Sequence, residues 1–435
     1  MWRLTYNPTA GYILNVAGDQ APGPISPQER THLRELARQV AQIAAQPRQQ
    51  ATRELWYRHS ALQRPRPMLL VFLEDSWLEV LPIASTVTVK DPFWGQWEWY
   101  LKHLIYRAQR LGDDFVIEPD LHVTLAVRTG DWGIEPAEYQ VTDNARGSFH
   151  WTPPMREESS IAKLHPATIE ADLTTTNQAV AALRDCLGDI LPVHIAAPAP
   201  SACLIDIASH LRGIEQVMLD MYDRPAWLHE LMAFLSNETL RRWRYFEEQG
   251  LATLNNGAHY TGSGTVGYSR ELPAEGFDGT HVRLRDLWGA CAAQAASEVG
   301  PDQHEEFILR HELPLLELTG LNCYGCCEPY TRKFDMLKRN VPRLRRVSVS
   351  PWCDVQAAAE ALQARYIFSW KPNPAMLVGR FDEDRLRACI RRTLDVARGC
   401  CLEIVLKDTI TLDNDPRRVE SFIRIARDEI ERVQE

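Results

Sequence analysis

Three of the ten cysteines fall within residues 323–327, in Cys323-Tyr324-Gly325-Cys326-Cys327-Glu328, and Gly325 permits a sharp backbone turn among them. A thiolate cluster is a natural soft-metal site. Zinc binds thiolate, imidazole and carboxylate, and an open fourth position lets it lower the pKa of a bound thiol or water. Cys326 and Cys327 are the candidate ligands. Asp408, in Lys407-Asp408-Thr409, is a candidate third ligand or an acid/base group. Two plainer readings compete: the cysteines are small residues packed in a crowded space, and Lys407-Asp408-Thr409 is a helix N-cap cluster.

Other polar groups recur directly after apolar runs. Glu74-Asp75 follows residues 68–73, Glu118, Asp120 and His122 follow Phe115-Val116-Ile117, and His259 sits in Asn256-Gly257-Ala258-His259-Tyr260. In Trp370-Lys371-Pro372-Asn373-Pro374 the prolines stiffen a loop that could aim Lys371 and Asn373 at a ligand, with Lys371 meeting a substrate carboxylate. The alternative there is a rigid connector with a solvated lysine, and a lone histidine such as His259 is more often structural than a ligand. Residues 262–267, Gly-Ser-Gly-Thr-Val-Gly, fit the dinucleotide fingerprint letter for letter, yet no long helix follows. The match reads as accidental, in a flexible loop.

The elements that must position these groups alternate strand and helix. Apolar runs suit buried parallel strands at 68–73 and 115–117, then at 321–324, 346–350, 366–370 and 402–407, with helices near 302–318, 331–339, 354–363 and 383–397. Successive βα units imply right-handed crossovers and closure, so residues from roughly 300 to 435 read as the closing half of a (β/α)8 barrel, an α/β TIM barrel. Barrel chemistry gathers at the C-terminal ends of strands, where the groups named above fall. Cys400-Cys401 precedes its strand and drops out as a ligand pair. Upstream, residues 1–29 read as an arm rich in turn formers, followed by a helical extension with Ser26 as N-cap and Pro27 in the first turn, ending before Pro47. Residues 128–200 show no clear period and read as an insertion or lid with short strands. One long helix is expected from Pro225 to a Gly250 stop.

At 435 residues, 45% apolar and 24% charged, one large globular domain over 30–435 is expected. A formal charge of −10 without runs of one sign argues against a nucleic-acid partner. No stretch approaches about 18 consecutive apolar residues, and the N-terminus lacks an apolar signal core. The expectation is a cytoplasmic protein with no membrane partner and with mostly reduced cysteines.

Several stretches together resemble a known family. They are Arg53-Glu54-Leu55-Trp56, Arg64-Pro65-Arg66-Pro67-Met68, Asp220-Met221-Tyr222-Asp223-Arg224-Pro225, Tyr324-Gly325-Cys326-Cys327-Glu328-Pro329, Arg346-Val347-Ser348-Val349-Ser350-Pro351-Trp352 and Lys371-Pro372-Asn373-Pro374-Ala375. Over roughly residues 30–435 the chain resembles the uroporphyrinogen decarboxylase-like superfamily, which includes zinc-dependent methyltransferases of corrinoid and cobalamin-independent methyl metabolism. The resemblance implies methyl transfer to or from a thiol or a corrinoid carrier, with zinc on Cys326 and on Cys327 or Asp408, a corrinoid protein as partner, and a homodimer. The pattern also departs from the family. The decarboxylase's arginine-rich N-terminal signature is not found, Tyr324-Gly325-Cys326 stands where the methyltransferases carry His-x-Cys, and Asp408-Thr409 lies near the place of their final cysteine.

The resulting expectation is a methyltransferase acting on a small molecule. Glu74, Glu328, Lys371 and Asp408 would serve the chemistry, and His122, His259, Trp370 and Asn373 would bind substrate. A metal-free decarboxylase of an acidic ring compound, with Asp408 or Glu74 stabilising a protonated intermediate, is the alternative. A binding protein without turnover is the third reading.

Overall fold

Apolar runs in this sequence form strands buried on both faces, as parallel strands covered by helices require. The computed structural model describes residues 2–7, 11–16, 21–135, 137–141 and 149–434. Its main sheet has seven parallel strands: β1 (Met68–Val71), β2 (Ser201–Ala202), β3 (Trp288–Cys291), β4 (Leu321–Tyr324), β5 (Leu344–Val349), β6 (Ile367–Trp370) and β7 (Cys401–Leu406). In space they run β2-β3-β4-β5-β6-β7-β1, so the last strand pairs with the first, Glu403 opposite Met68 and Leu406 opposite Val71. That order is barrel-like. Among the described residues no strand joins β2 to β1.

The strand expected at 115–117 does not form, and the reason lies two residues upstream. The carboxylates of Asp114 and Asp113 accept the backbone N–H groups of Leu69 (2.8 Å) and Val71 (3.0 Å), replacing part of a main-chain ladder along the free edge of β1. Arg66 and Arg427 ion-pair with Asp114 at 2.7 and 2.6 Å and hold its carboxyl below the usual range in spite of burial. A covered edge cannot template pairing with another chain.

The helices between the later strands follow the expected order. Helix 301–316 precedes β4, Phe334–Asn340 precedes β5, Val355–Leu362 precedes β6 and Glu383–Val396 precedes β7. Asp354 and Asp382 cap the last two by accepting the N–H of Ala357 and Arg385. Glu383–Val396 buries Leu386, Ile390, Thr393 and Leu394, a stripe of helical period facing the sheet. Burying each large aliphatic side chain there contributes about 2 kcal/mol.

Two expectations upstream are revised. Residues 2–7 and 11–16 pair as an antiparallel hairpin where a turn-rich arm was expected. Within 128–200, which showed no period, Leu173–Leu187 is a regular helix capped by Asp172 and burying Thr176, Val180, Leu183 and Leu187. Arg30 and Arg34 bind Asp185 and Asp189 at 2.5 Å and so tie that segment to helix Pro27–Ala44. That helix begins at Ser26 as expected, with a capping box to Glu29, and it ends before Pro47. The long helix spans Pro225–Glu248. No helix among the described residues is long and apolar enough to cross a membrane.

Candidate functional site

The C-terminal ends of β4, β7 and β1 bring Cys326, Cys327, Lys407, Asp408 and Glu74 around one cleft of about 240 Å³, whose walls include Cys326, Lys407, Asp408 and Glu74. Gly325, at φ +95°, makes the turn that carries Cys326 over the strand end, and a Cβ there would lie 2.4 Å from the Tyr330 ring. Glu328 fixes the same turn. It is fully buried and accepts the backbone N–H of Cys326 (2.9 Å) and Ala293 (2.6 Å) as well as the Tyr330 hydroxyl. A substrate-orienting role for Glu328 is therefore corrected to an anchoring one.

The Cys326 sulfur has three polar neighbours. Cys327 Sγ lies at 3.4 Å, Ser263 Oγ donates at 3.1 Å, and Lys407 Nζ donates at 3.3 Å. Cys327 divides its proton between that sulfur and Asp408 Oδ2 at 3.2 Å. The hydrogen bond from Cys327, aided by Lys407 and Ser263, outweighs burial and lowers the Cys326 thiol to about 6, while Cys327 is pushed up in turn. These contacts favour the thiolate of Cys326, the form that acts as nucleophile or metal ligand. Burial disfavours the Lys407 ammonium, but Tyr260, Cys326 and Asp408 hold its pKa well above the usual lysine range.

Burial and the nearby Asp408 raise Glu74 to about 7. Both carboxylate residues sit in the left-handed region, Glu74 at φ +48° and Asp408 at φ +57°, just beyond the C-terminal ends of the paired strands β1 and β7. Two strained non-glycine residues facing one cleft are a mark of a working site.

Ser263 comes from an element that the sequence concealed. Residues 262–267 fall largely within a hairpin, Tyr260–Thr261 paired with Thr265–Val266, whose Thr261, Ser263, Thr265 and Val266 are buried, and not in a flexible loop. Its glycines permit the insertion: a Cβ on Gly262 would meet Cys323 Cβ at 2.8 Å, and one on Gly264 would meet Lys407 Cδ at 3.1 Å. A serine flanked by two glycines was the available signal. Lys407 was visible beside Asp408 but had been given no part in the chemistry.

The remaining candidates separate from the cleft. Trp370 is 3% exposed and packs in the core on the outer face of β6. Asn373 caps the short helix Pro374–Leu377 by accepting the Ala375 N–H. Lys371 is buried, donates to Ser369 Oγ at 2.5 Å, and is lowered to about 8 by burial; it is not presented on a rigid loop. It belongs to an interior network in which Arg346 Nε lies 3.0 Å from Glu403 and His59 lies 3.2 Å from the same carboxylate. Burial would raise Glu403, yet Arg346 and His59 outweigh it and keep the carboxyl well below the usual range.

His122 and His259 line a second cavity of about 270 Å³ that shares no wall residue with the thiol cleft. Burial lowers both, His259 to about 3, so both are neutral imidazoles at physiological pH. Among the described residues no group of three or more His, Cys, Asp or Glu side chains is arranged to hold a metal ion.

The structure is that of an α/β protein with a seven-stranded parallel sheet, and a lysine-paired cysteine lies beside two carboxylates at its strand ends. No family model matches the chain, and no curated protein matches it. Among solved structures, the chain is similar to a methyltransferase from Methanosarcina mazei, at 12% identity and a TM-score of 0.45, over 86% of this chain and 97% of that one.

Proposed function

We propose that the protein is a methyltransferase in which the Cys326 sulfur is the reacting atom. The observation that carries this reading is the setting of that sulfur, 3.3 Å from the Lys407 ammonium at the C-terminal end of a parallel strand. The Cys326 thiolate attacks a methyl carbon in line with its leaving atom, so the sulfur–carbon bond forms as the old bond breaks, and a carrier nucleophile then attacks the same carbon and releases Cys326 as thiolate. Glu74 lines the same cleft and is held protonated up to about pH 7, which suits it to give its proton to the departing atom. A small thiol and a corrinoid protein are the carriers this reading asks for on the other side of the exchange. The uroporphyrinogen decarboxylase-like resemblance and the barrel-like order of the seven parallel strands accord with it.

A zinc ion is the second form of the same reading. Cys326, Cys327 and Asp408 form a chain of contacts at 3.4 and 3.2 Å, and two thiols with a carboxylate are chemistry that zinc accepts. Binding would require the Lys407 ammonium to leave Cys326, and Lys407 already supplies positive charge there, so the metal-free form is favoured. A decarboxylase of acidic rings would need free cations. Among the described residues lining the thiol cleft Lys407 is the one cation, and Cys326 and Asp408 already engage it.

The test is methyl transfer from methylcobalamin to a small thiol by the purified protein, with zinc content measured in the same preparation. Loss of transfer in Cys326→Ser with no zinc in the wild type supports the metal-free form. About one zinc per chain, lost with Cys326, supports the metal form. Transfer undiminished in Cys326→Ser sinks both.

A further inference from the structure

A large cavity lies beside the thiol cleft, not in it. Its volume of about 620 Å³ is that of a small-molecule site. One wall is the segment 129–135, with Trp132 and Ile134, and another is helix Pro225–Glu248, with Arg242, Trp243 and Phe246. Ser201 of β2 and Cys203 line both this chamber and the thiol cleft, so the two spaces are neighbours at the edge of the sheet. A third cavity of about 340 Å³ borders Ser201 as well, and it extends to Tyr260 and Gly262 of the hairpin that carries Ser263.

The chamber wall is largely aromatic and aliphatic, and its two arginines differ. Arg241 is committed to Glu238 (2.8 Å) and to the Ala167 carbonyl. Arg242 lines the chamber from an exposed position and has no hydrogen bond or ion pair among the described residues, so its guanidinium is open to both solvent and a ligand. The carboxylates Asp131 and Glu135 also line the chamber, and both are exposed on its outer side. An apolar chamber with one uncommitted guanidinium selects a ligand with an apolar ring system and an anionic group.

We propose that this chamber binds the body of the substrate, a ring-bearing organic anion. Its rings lie against Trp132, Trp243 and Phe246, its anionic group lies on Arg242, and its reacting end points past Cys203 toward Cys326. The inference rests on the methyltransferase reading for what happens at Cys326, but the chamber itself does not depend on it. It gives the segment 129–135 a purpose: it supplies a wall of the substrate chamber.

Anilinonaphthalene sulfonate, an apolar ring probe with one sulfonate, tests the chamber directly. The native chain should bind it saturably, and bound dye should slow alkylation of Cys326 by iodoacetamide. Arg242→Gln should weaken binding about tenfold, the loss expected for one charge-assisted hydrogen bond. Ala199→Trp, which fills the chamber from its wall, should abolish binding, with circular dichroism melting used to show that both variants fold. Equal dye affinity in all three proteins overturns the chamber. If dye binding falls in both variants while Cys326→Ser retains methyl transfer, the chamber stands and only the methyltransferase reading fails.

Discussion

Replacing Lys407 with methionine removes the one full positive charge at the Cys326 sulfur while keeping most of the side-chain volume. At 3.3 Å and an effective dielectric constant of about 20, that ammonium favours the thiolate by about 5 kcal/mol before any desolvation cost. The lowering of Cys326 from the ordinary thiol value near 9 to about 6 amounts to about 4 kcal/mol, the net of the Cys327 hydrogen bond and the Lys407 charge against burial. The hydrogen bond from Cys327 is the larger contributor. Lys407→Met should therefore raise the Cys326 pKa by roughly one to two units, and Cys327→Ala should raise it by at least as much. The assay is the rate of Cys326 alkylation by iodoacetamide against pH, read by mass spectrometry of the peptide that carries it. The wild type should show a midpoint near 6. An unchanged midpoint in Lys407→Met would refute the claim that the lysine makes the thiolate.

Three further outcomes follow from the same geometry. Glu74 has a folded pKa raised to about 7, so the folded state holds a proton that the unfolded chain releases near 4.5, and stability falls as pH rises between those values. Glu74→Gln should consequently melt higher than wild type at pH 8, by up to about 3 kcal/mol, and match it near pH 4; equal melting at both pH values would contradict the raised pKa. Gly264→Ala places a Cβ 3.1 Å from Lys407 Cδ and 3.2 Å from Val405 at φ +84°, and it should cost about 1–3 kcal/mol in urea unfolding and slow Cys326 alkylation. Glu403→Gln leaves the Arg346 guanidinium, 2% exposed, without its carboxylate, and should cost about 3–5 kcal/mol; a loss below about 1 kcal/mol would mean that water reaches the network.

What could be read in advance tracks what each residue touches. Strands buried on both faces announce themselves as unbroken apolar runs, which is why β1 and β4 to β7 were visible from sequence. β2, two residues long, carries no such run, and the apolar stretch 115–117 lies beside β1 without joining it, because Asp113 and Asp114 take up the strand's N–H groups by side chain. The helix Leu173–Leu187 opens on Thr174, Thr175 and Thr176, poor helix formers that mask its period until Val180 and Leu183.

The site divides along the same line. Proximity to a strand end was enough to find Glu74, Cys326, Cys327 and Asp408, but strand parity decides the rest. In β6 the alternation of faces turns Ser369, and Lys371 after it, toward Glu403, and turns Phe368 and Trp370 into the helix-covered core. A residue next to a strand end is therefore a site residue only if its parity and its backbone conformation both aim it at the opening. Glu74 and Asp408 meet that condition through positive φ angles, a conformation that sequence does not announce for a glutamate. Ser263 meets it through a hairpin whose glycines let the backbone pass within contact distance of Cys323 and Lys407. The convergence of Cys327, Ser263 and Lys407 on one sulfur, at 3.4, 3.1 and 3.3 Å, is the reason to place the chemistry at Cys326.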